Sequence, residues 1–200
     1  ISPATLYVFL DMQEVKDAIQ CIKKAGNKKI IVLHCTTNYP CPPDEVNLAA
    51  IQTMMANLDV LVGYSDHTLG IQVPVMAATL GACVIEKHFT LDKRTEGPDH
   101  AASIEPDELA EMVKAVKSVR TILGSPIKKP TKSEVVMIRD VRKSVVSVKN
   151  IKKGEKFTTQ NISIKRPGTG LSPKEYASIL GKKEKRHVKV DSLIRIADYA

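Results

Sequence analysis

Apolar residues fall along this chain in two rhythms. Short continuous runs stand at residues 29–34 (KIIVLH), 60–63 and 82–85. Runs of that length suit strands buried on both faces of a parallel sheet. Between them, apolar residues recur every three to four positions. Residues 12–24 put Val15, Ala18, Ile19 and Ile22 on one helical face, and Gly26 offers a C-terminal stop. Residues 44–58 carry Val46, Leu48, Ala49, Ile51, Met54 and Met55, and residues 70–80 bridge the next two strands. In the last helix, Pro106 suits the first position, and Asp107 and Glu108 favour the positive helix start. Leu109, Met112, Val113, Val116 and Val119 then repeat at helical spacing up to Gly124. Strands alternating with helices predict an α/β fold. Three units are clear, and a ragged fourth is expected at the start.

The rhythm changes after residue 124. Residues 125–141 hold two prolines and several charges and read as a linker. Residues 144–148 form a short β-type run, Lys152-Lys153-Gly154-Glu155 has turn chemistry, and Arg166-Pro167-Gly168-Thr169-Gly170 makes a rigid loop. Residues 187–190 and 193–196 are further strand candidates. The expected organisation is an α/β domain over 1–124, a linker over 125–141 and a small β-rich domain over 142–200.

Charge sharpens that boundary. The chain of 200 residues has a net charge of +8. Residues 125–200 hold 19 Lys and Arg against 7 Asp and Glu, a net of +12, so the preceding part is at −4. A basic module can face nucleic acid, cover an anionic substrate, or simply be a solvated surface. No apolar run approaches the ~18 residues that span a bilayer, so no membrane role is expected. Position 1 is Ile, and no basic-then-apolar signal segment follows. The expectation is a fragment or a processed product. Cys21, Cys35, Cys41 and Cys83 show no CxxC pair and do not read as a disulfide framework, which favours a reducing, cytoplasmic setting.

Three histidines fall at the C-terminal ends of the three strand candidates: His34, His67 and His88. Ligands and catalysis gather at that edge of parallel α/β sheets. Neighbouring strands lie ~4.8 Å apart, so inward side chains at matching heights converge. His67 and His88 are one crossover apart, a spacing that can put two imidazoles on one divalent metal. A single strand-end histidine is more often a hydrogen-bonded structural residue; two at successive ends bring a metal or catalytic role level with that reading. Ser65 and Asp66 precede His67, and Glu86 and Lys87 precede His88. The carboxylates could orient imidazoles, ligate metal or bind a hydroxylated substrate. Glu86 and Lys87 could equally form a local ion pair. Asp99 lies in a loop just past a strand, and Tyr39 in the loop after the first strand, where packing is the plainer role.

The segments LHCTTNYPCPPDEVNLAAI, GYSDHTLGIQVPVMAATLGACVIEKHFTL and EGPDHAASIEPDEL resemble the sialic acid synthase family, which makes N-acetylneuraminic, legionaminic or pseudaminic acids. KNIKKGEKFTTQNISIKRPGTG is similar to its C-terminal antifreeze-like domain. The resemblance implies an α/β fold: the C-terminal half of a (β/α)8 TIM barrel followed by an antifreeze-like (SAF) domain. It implies that His67 and His88 bind a divalent metal, Mn2+ or Mg2+, and are catalytic with Glu86. Ser65 would hold phosphoenolpyruvate, while Tyr39, Glu86 and Asp99 contact the amino sugar. Arg166 would reach into a partner subunit's active site, implying a domain-exchanged homodimer. The implied reaction condenses phosphoenolpyruvate with N-acetylmannosamine or a related amino sugar.

A whole barrel needs ~250 residues. The family's first half, with its early catalytic glutamate and phosphate-binding lysines, has no counterpart here, so this stretch alone is expected to be inactive. Residues 1–12 match the family poorly. The competing reading is a non-catalytic fragment or a basic module binding ice or nucleic acid. Residues 125–200 have only Phe157, Tyr176 and Tyr199 for base stacking, and their charge disfavours ice. No nucleic-acid partner is expected.

Overall fold

The computed structural model describes residues 10–199 and divides into two compact units, Ile1–Pro126 and Ile127–Ala200. Residues 1–9, most of the expected ragged first unit, lie outside the described residues.

The first unit runs α1 (Met12–Lys24), β1 (Ile31–Cys35), α2 (Ala49–Asn57), β2 (Leu61–Asp66), α3 (Gln72–Thr79), β3 (Ile85–Lys87) and α4 (Pro106–Leu123). Local chemistry sets the helix starts. The Asp11 carboxylate accepts from the Gln13 and Glu14 amides, and Glu14 reaches back to the Asp11 amide at 2.7 Å, a reciprocal cap that satisfies otherwise orphaned donors. α4 starts at Pro106, with the Glu105 amide donating to Glu108.

The strands lie in the order β1-β2-β3 and pair in parallel, Ile31 opposite Leu61 through Cys35 opposite Ser65, then Tyr64 opposite Ile85 through Asp66 opposite Lys87. One face packs on the helices through Ile19, Ile30, Val32, Val46, Ile51, Met54, Val62, Tyr64 and Ala77. On the other, Gly63 lets Leu33 and Val84 close in. A Cβ there would stand 2.5 Å from Leu33 Cδ2 and 2.7 Å from the Val84 carbonyl oxygen.

The expected helix over 44–58 is broken. A 3-10 turn at Pro43–Glu45 precedes α2, and Asn47 between them has φ of 49°. That left-handed residue cannot continue a right-handed helix.

The second unit begins with α5 (Lys132–Val141), inside the stretch expected as linker. Its start is capped by Thr131, whose hydroxyl accepts from the Glu134 amide while Glu134 reaches back to the Thr131 amide. β4 (Ser144–Ser147) and β5 (Ile162–Lys165) pair antiparallel, and α6 (Tyr176–Ile179) follows. Val145, Ile151, Phe157, Ile162, Leu171, Ile179, Val188 and Ile194 form the core. The strand candidates over 187–190 and 193–196 contribute isolated bridges, Val188 to Ile151 and Leu193 to Val146, rather than strands.

Candidate functional site

Side chains of a strand alternate between the faces of its sheet. That rule sorts the strand-end residues of the first unit into two sets. Tyr64 and Asp66 of β2, with Ile85 and Lys87 of β3, belong to the helix-covered face. Ser65 and Glu86 are register partners on the opposite face, and the Ser65 hydroxyl donates to Glu86 Oε1 at 2.7 Å. His67 and His88 each follow the last residue of their strand on that same face. Their rings meet edge-on, centroids 5.3 Å apart at 83°.

The loop after β1 supplies Tyr39. The Cys41 amide donates to the His67 carbonyl at 2.8 Å, which ties this loop to the end of β2. The Tyr39 ring lies 4.0 Å from that of His67 and 5.2 Å from that of His88. His67 is 4% exposed, so its polar atoms need partners. Its Nδ1 lies 2.7 Å from the Thr36 carbonyl oxygen. A carbonyl only accepts, so Nδ1 carries a proton, and Nε2 is the nitrogen whose lone pair could serve a ligand.

Asp99 reaches the site by a return of the chain. Ile104 bridges Phe89 in parallel, and its amide donates to the His88 carbonyl. The intervening loop brings Asp99 Oδ2 to 3.9 Å from His88 Nδ1. Tyr39, His67, His88 and Asp99 therefore converge at the C-terminal edge of the sheet, with Ser65 and Glu86 one row below.

Two readings of the sequence need correction, those of Asp66 and Lys87. His34, the third strand-end histidine, stands apart from the pair. It is the register partner of Tyr64, packs 5.9 Å from that ring, and has Nε2 2.9 Å from the Val46 carbonyl oxygen. Asp66 points away from the imidazoles. Lys87 makes no local pair with Glu86, because neighbours on a strand face opposite ways; its ammonium meets Asp66 Oδ2 at 2.5 Å across the strands. Thr36, Tyr64 and Thr68 also contribute, through hydrogen bonds that no local sequence signal marks.

Burial, then the Asp66 charge, holds the Tyr64 hydroxyl well above the usual tyrosine range, so it stays a donor to Asp66 Oδ1. Burial likewise raises the Cys35 thiol, which remains protonated beside the site. All four cysteines are free thiols.

Arg166 belongs to the second unit, where its Nε donates to the Val141 carbonyl at 3.2 Å. Its loop is pinned by the Ser144 hydroxyl, which donates to the Pro167 carbonyl, and by the Gly168 amide, which donates to the Arg139 carbonyl. A Cβ on Gly168 would stand 2.4 Å from Arg142 Cβ.

His67 and His88 fit a divalent cation as neutral nitrogen donors, and the Thr36 contact leaves His67 Nε2 free for one. Among the described residues no group of three His, Cys, Asp or Glu gathers around a common point. Such a pair makes an open site, its other positions left to water or substrate oxygens, unlike the closed four-ligand set of structural zinc.

The NeuB family model matches residues 9–128, and the SAF domain model matches residues 142–200. The chain is 48% identical to the N,N'-diacetyllegionaminic acid synthase of Campylobacter jejuni over 187 residues, covering 92% of this chain and 56% of that protein. It is 38% identical to human N-acetylneuraminate-9-phosphate synthase, covering 92% and 51%. The crystal structure of N-acetylneuraminic acid synthetase from Leptospira borgpetersenii, in complex with citrate, superposes with a TM-score of 0.59 at 38% identity, covering 65% of this chain and 45% of that one. The chain spans about half the length of the curated relatives it matches.

Proposed function

This chain belongs to the NeuB family, and on that premise we propose that the protein it forms part of condenses phosphoenolpyruvate with an open-chain N-acetylated amino sugar, giving a nonulosonic acid and phosphate. The observation that carries this reading is the convergence of Tyr39, His67, His88 and Asp99 at the C-terminal edge of the parallel sheet.

In the reaction, C3 of phosphoenolpyruvate attacks the sugar's aldehyde carbon and forms the new C–C bond. Water adds at C2. The C2–O bond then breaks, and phosphate leaves with the bridging oxygen. His67 and His88 would hold Mn2+ or Mg2+, which supplies Lewis-acid polarisation of an aldehyde oxygen when bound. The Ser65 hydroxyl turns its proton from Glu86 to the phosphoenolpyruvate anion. Glu86 is thereby free to accept from a sugar hydroxyl. Asp99 and Tyr39 hold further hydroxyls on the open side. Arg166, supplied by the second unit of a domain-exchanged partner, donates to the N-acetyl carbonyl, and the basic flanks of that unit draw in the anionic substrate.

The match of both units to synthases of this kind favours this reading over a free-standing basic module binding ice or nucleic acid. No helix among the described residues is long and apolar enough to cross a membrane, and four free thiols suit a reducing compartment such as the cytoplasm. The test is phosphate release by the complete protein from phosphoenolpyruvate labelled with 18O at the bridging position, in the presence of N-acetylmannosamine or a diacetamido relative. Sugar-dependent release of labelled phosphate is expected. Release that ignores the sugar, or leaves the label on the organic product, overturns the reading.

A further inference from the structure

The backbone ladder between β2 and β3 ends at the pair Asp66 and Lys87. His67 and His88 each stand one residue beyond it, and the backbone bonds they make, from the Cys41 amide to the His67 carbonyl and from the Ile104 amide to the His88 carbonyl, run to other segments and not between the two. What ties the two segments to each other at this level is side chains.

A buried cluster behind the site does this. The Asp66 residue is 0% exposed and the Lys87 side chain 1%. Asp66 Oδ2 accepts from Lys87 Nζ at 2.5 Å. Oδ1 accepts from the Tyr64 hydroxyl at 3.0 Å, the Thr68 amide at 3.1 Å and the Thr68 hydroxyl at 2.9 Å. Lys87 Nζ also donates to the Thr68 carbonyl. The residues on either side of His67 are thus both bound to the ammonium of Lys87, which itself directly precedes His88. One cation grips both chain segments at their last paired position.

Stability alone is a poor account of such a pair. Ion pairs taken fully out of water rarely add net stability over an apolar pair of the same shape. Their better-attested use is to impose one arrangement where apolar packing would admit several. Here the arrangement imposed is the approach of two imidazoles.

We propose that Asp66, Lys87 and Thr68 are positioning residues that set the distance between His67 and His88, and with it the affinity of the histidine pair for a divalent cation. The proposal rests on the reading of those histidines as cation ligands. None of the three positioning groups faces the sugar or the phosphate; they act from the helix-covered side of the sheet, through the two rings.

The test compares variants of the complete protein by three measurements: thermal melting, Mn2+ titration by electron paramagnetic resonance, and the nuclear Overhauser contact between the His67 and His88 rings in metal-free, histidine-labelled protein. The double variant Asp66→Asn/Lys87→Met removes both charges at once and leaves neither stranded. It should melt within a few degrees of wild type, lose the ring contact, and bind Mn2+ about 10- to 100-fold more weakly, the usual effect of removing a ligand's support. Raising Mn2+ should restore its turnover. Wild-type Mn2+ affinity together with an intact ring contact overturns the proposal. If the double variant does not fold, Thr68→Val decides. It keeps the ion pair and removes one hydroxyl, so several-fold weaker Mn2+ binding is expected, and an unchanged affinity overturns the proposal. His67→Ala separates the premise from the inference. If it binds Mn2+ like wild type, the cation reading fails, and the ring contact in the double variant alone then supports or overturns the positioning role.

Discussion

Ser65 donates its hydroxyl to Glu86 at 2.7 Å across two neighbouring strands, directly below the paired imidazoles. The contact joins a residue assigned to the phosphoenolpyruvate anion with one assigned to the sugar. If those proposed roles hold, the two subsites share one proton, and filling the first changes what the second can accept.

Ser65→Ala and Glu86→Gln should consequently be non-additive in the complete protein. Each alone is expected to raise KM for its own substrate. The double variant should lose less than the two single losses combined, with a coupling of about 0.5–1 kcal/mol, as Glu86 is partly open to solvent. Strict additivity in kcat/KM would separate the two residues.

His67→Ala and His88→Ala should each remove Mn2+ binding and lower condensation by more than about 100-fold, because either change leaves a single imidazole, and among the described residues no group of three His, Cys, Asp or Glu gathers to hold the cation instead. The check is turnover alongside metal titration. Persistence of wild-type rates in either variant removes that residue from the site.

Gly63→Ala should destabilise the first unit by about 1–3 kcal/mol, the usual cost of overpacking. The added methyl would meet Leu33 and, less forgivingly, the backbone carbonyl of Val84. Urea unfolding followed by circular dichroism measures it. A midpoint unchanged from wild type would mean that β2 and β3 can slide apart freely.

Glu184 predicts how the second unit responds to pH. It is 2% exposed; Oε1 accepts from the Lys185 and Arg186 amides, whereas Oε2 has no partner. Burial foremost, with the Asp198 charge adding to it, raises the carboxyl above its ordinary 4.5. The protonated form thus favours folding. That contribution is complete below pH 4.5 and is lost as pH rises through the folded value. Glu184→Gln mimics the protonated acid, so it should stabilise the unit at pH 7 by on the order of 1 kcal/mol and have little effect below about pH 4. Melting across that range decides it. An equal effect at both ends would place the cause elsewhere.

Arg166→Ala should weaken amino-sugar binding while leaving phosphoenolpyruvate binding intact. If the second unit serves the neighbouring subunit, mixing inactive Arg166→Ala with inactive His67→Ala protein restores activity, since one site of each mixed dimer has a full set. No recovery after verified subunit exchange would confine Arg166 to its own chain.

Much of this molecule is written locally. Apolar spacing alone located α1, α4 and the three parallel strands to within a few residues, because burying one face of a helix or both faces of a strand constrains composition directly. The SDHT and EKHFT segments pointed to His67 and His88 as a pair. The faces of those strands were not legible in the same way. Which side a residue takes depends on register, and a slip of one residue turns every side chain over. Nothing near His34 marks it as facing the helices. Only its pairing with Tyr64 shows that. Asp66 and Lys87 each sit beside a histidine and look like site residues, yet across the sheet they find one another. The single residue Asn47, in a left-handed conformation, broke a helix that periodicity had drawn whole. The sequence alone determined which residue types reach the sheet's C-terminal edge. The tertiary structure decided which of them face the open side and which bind one another behind it, because both outcomes depend on contacts between residues about twenty to thirty positions apart, where local preference carries no information.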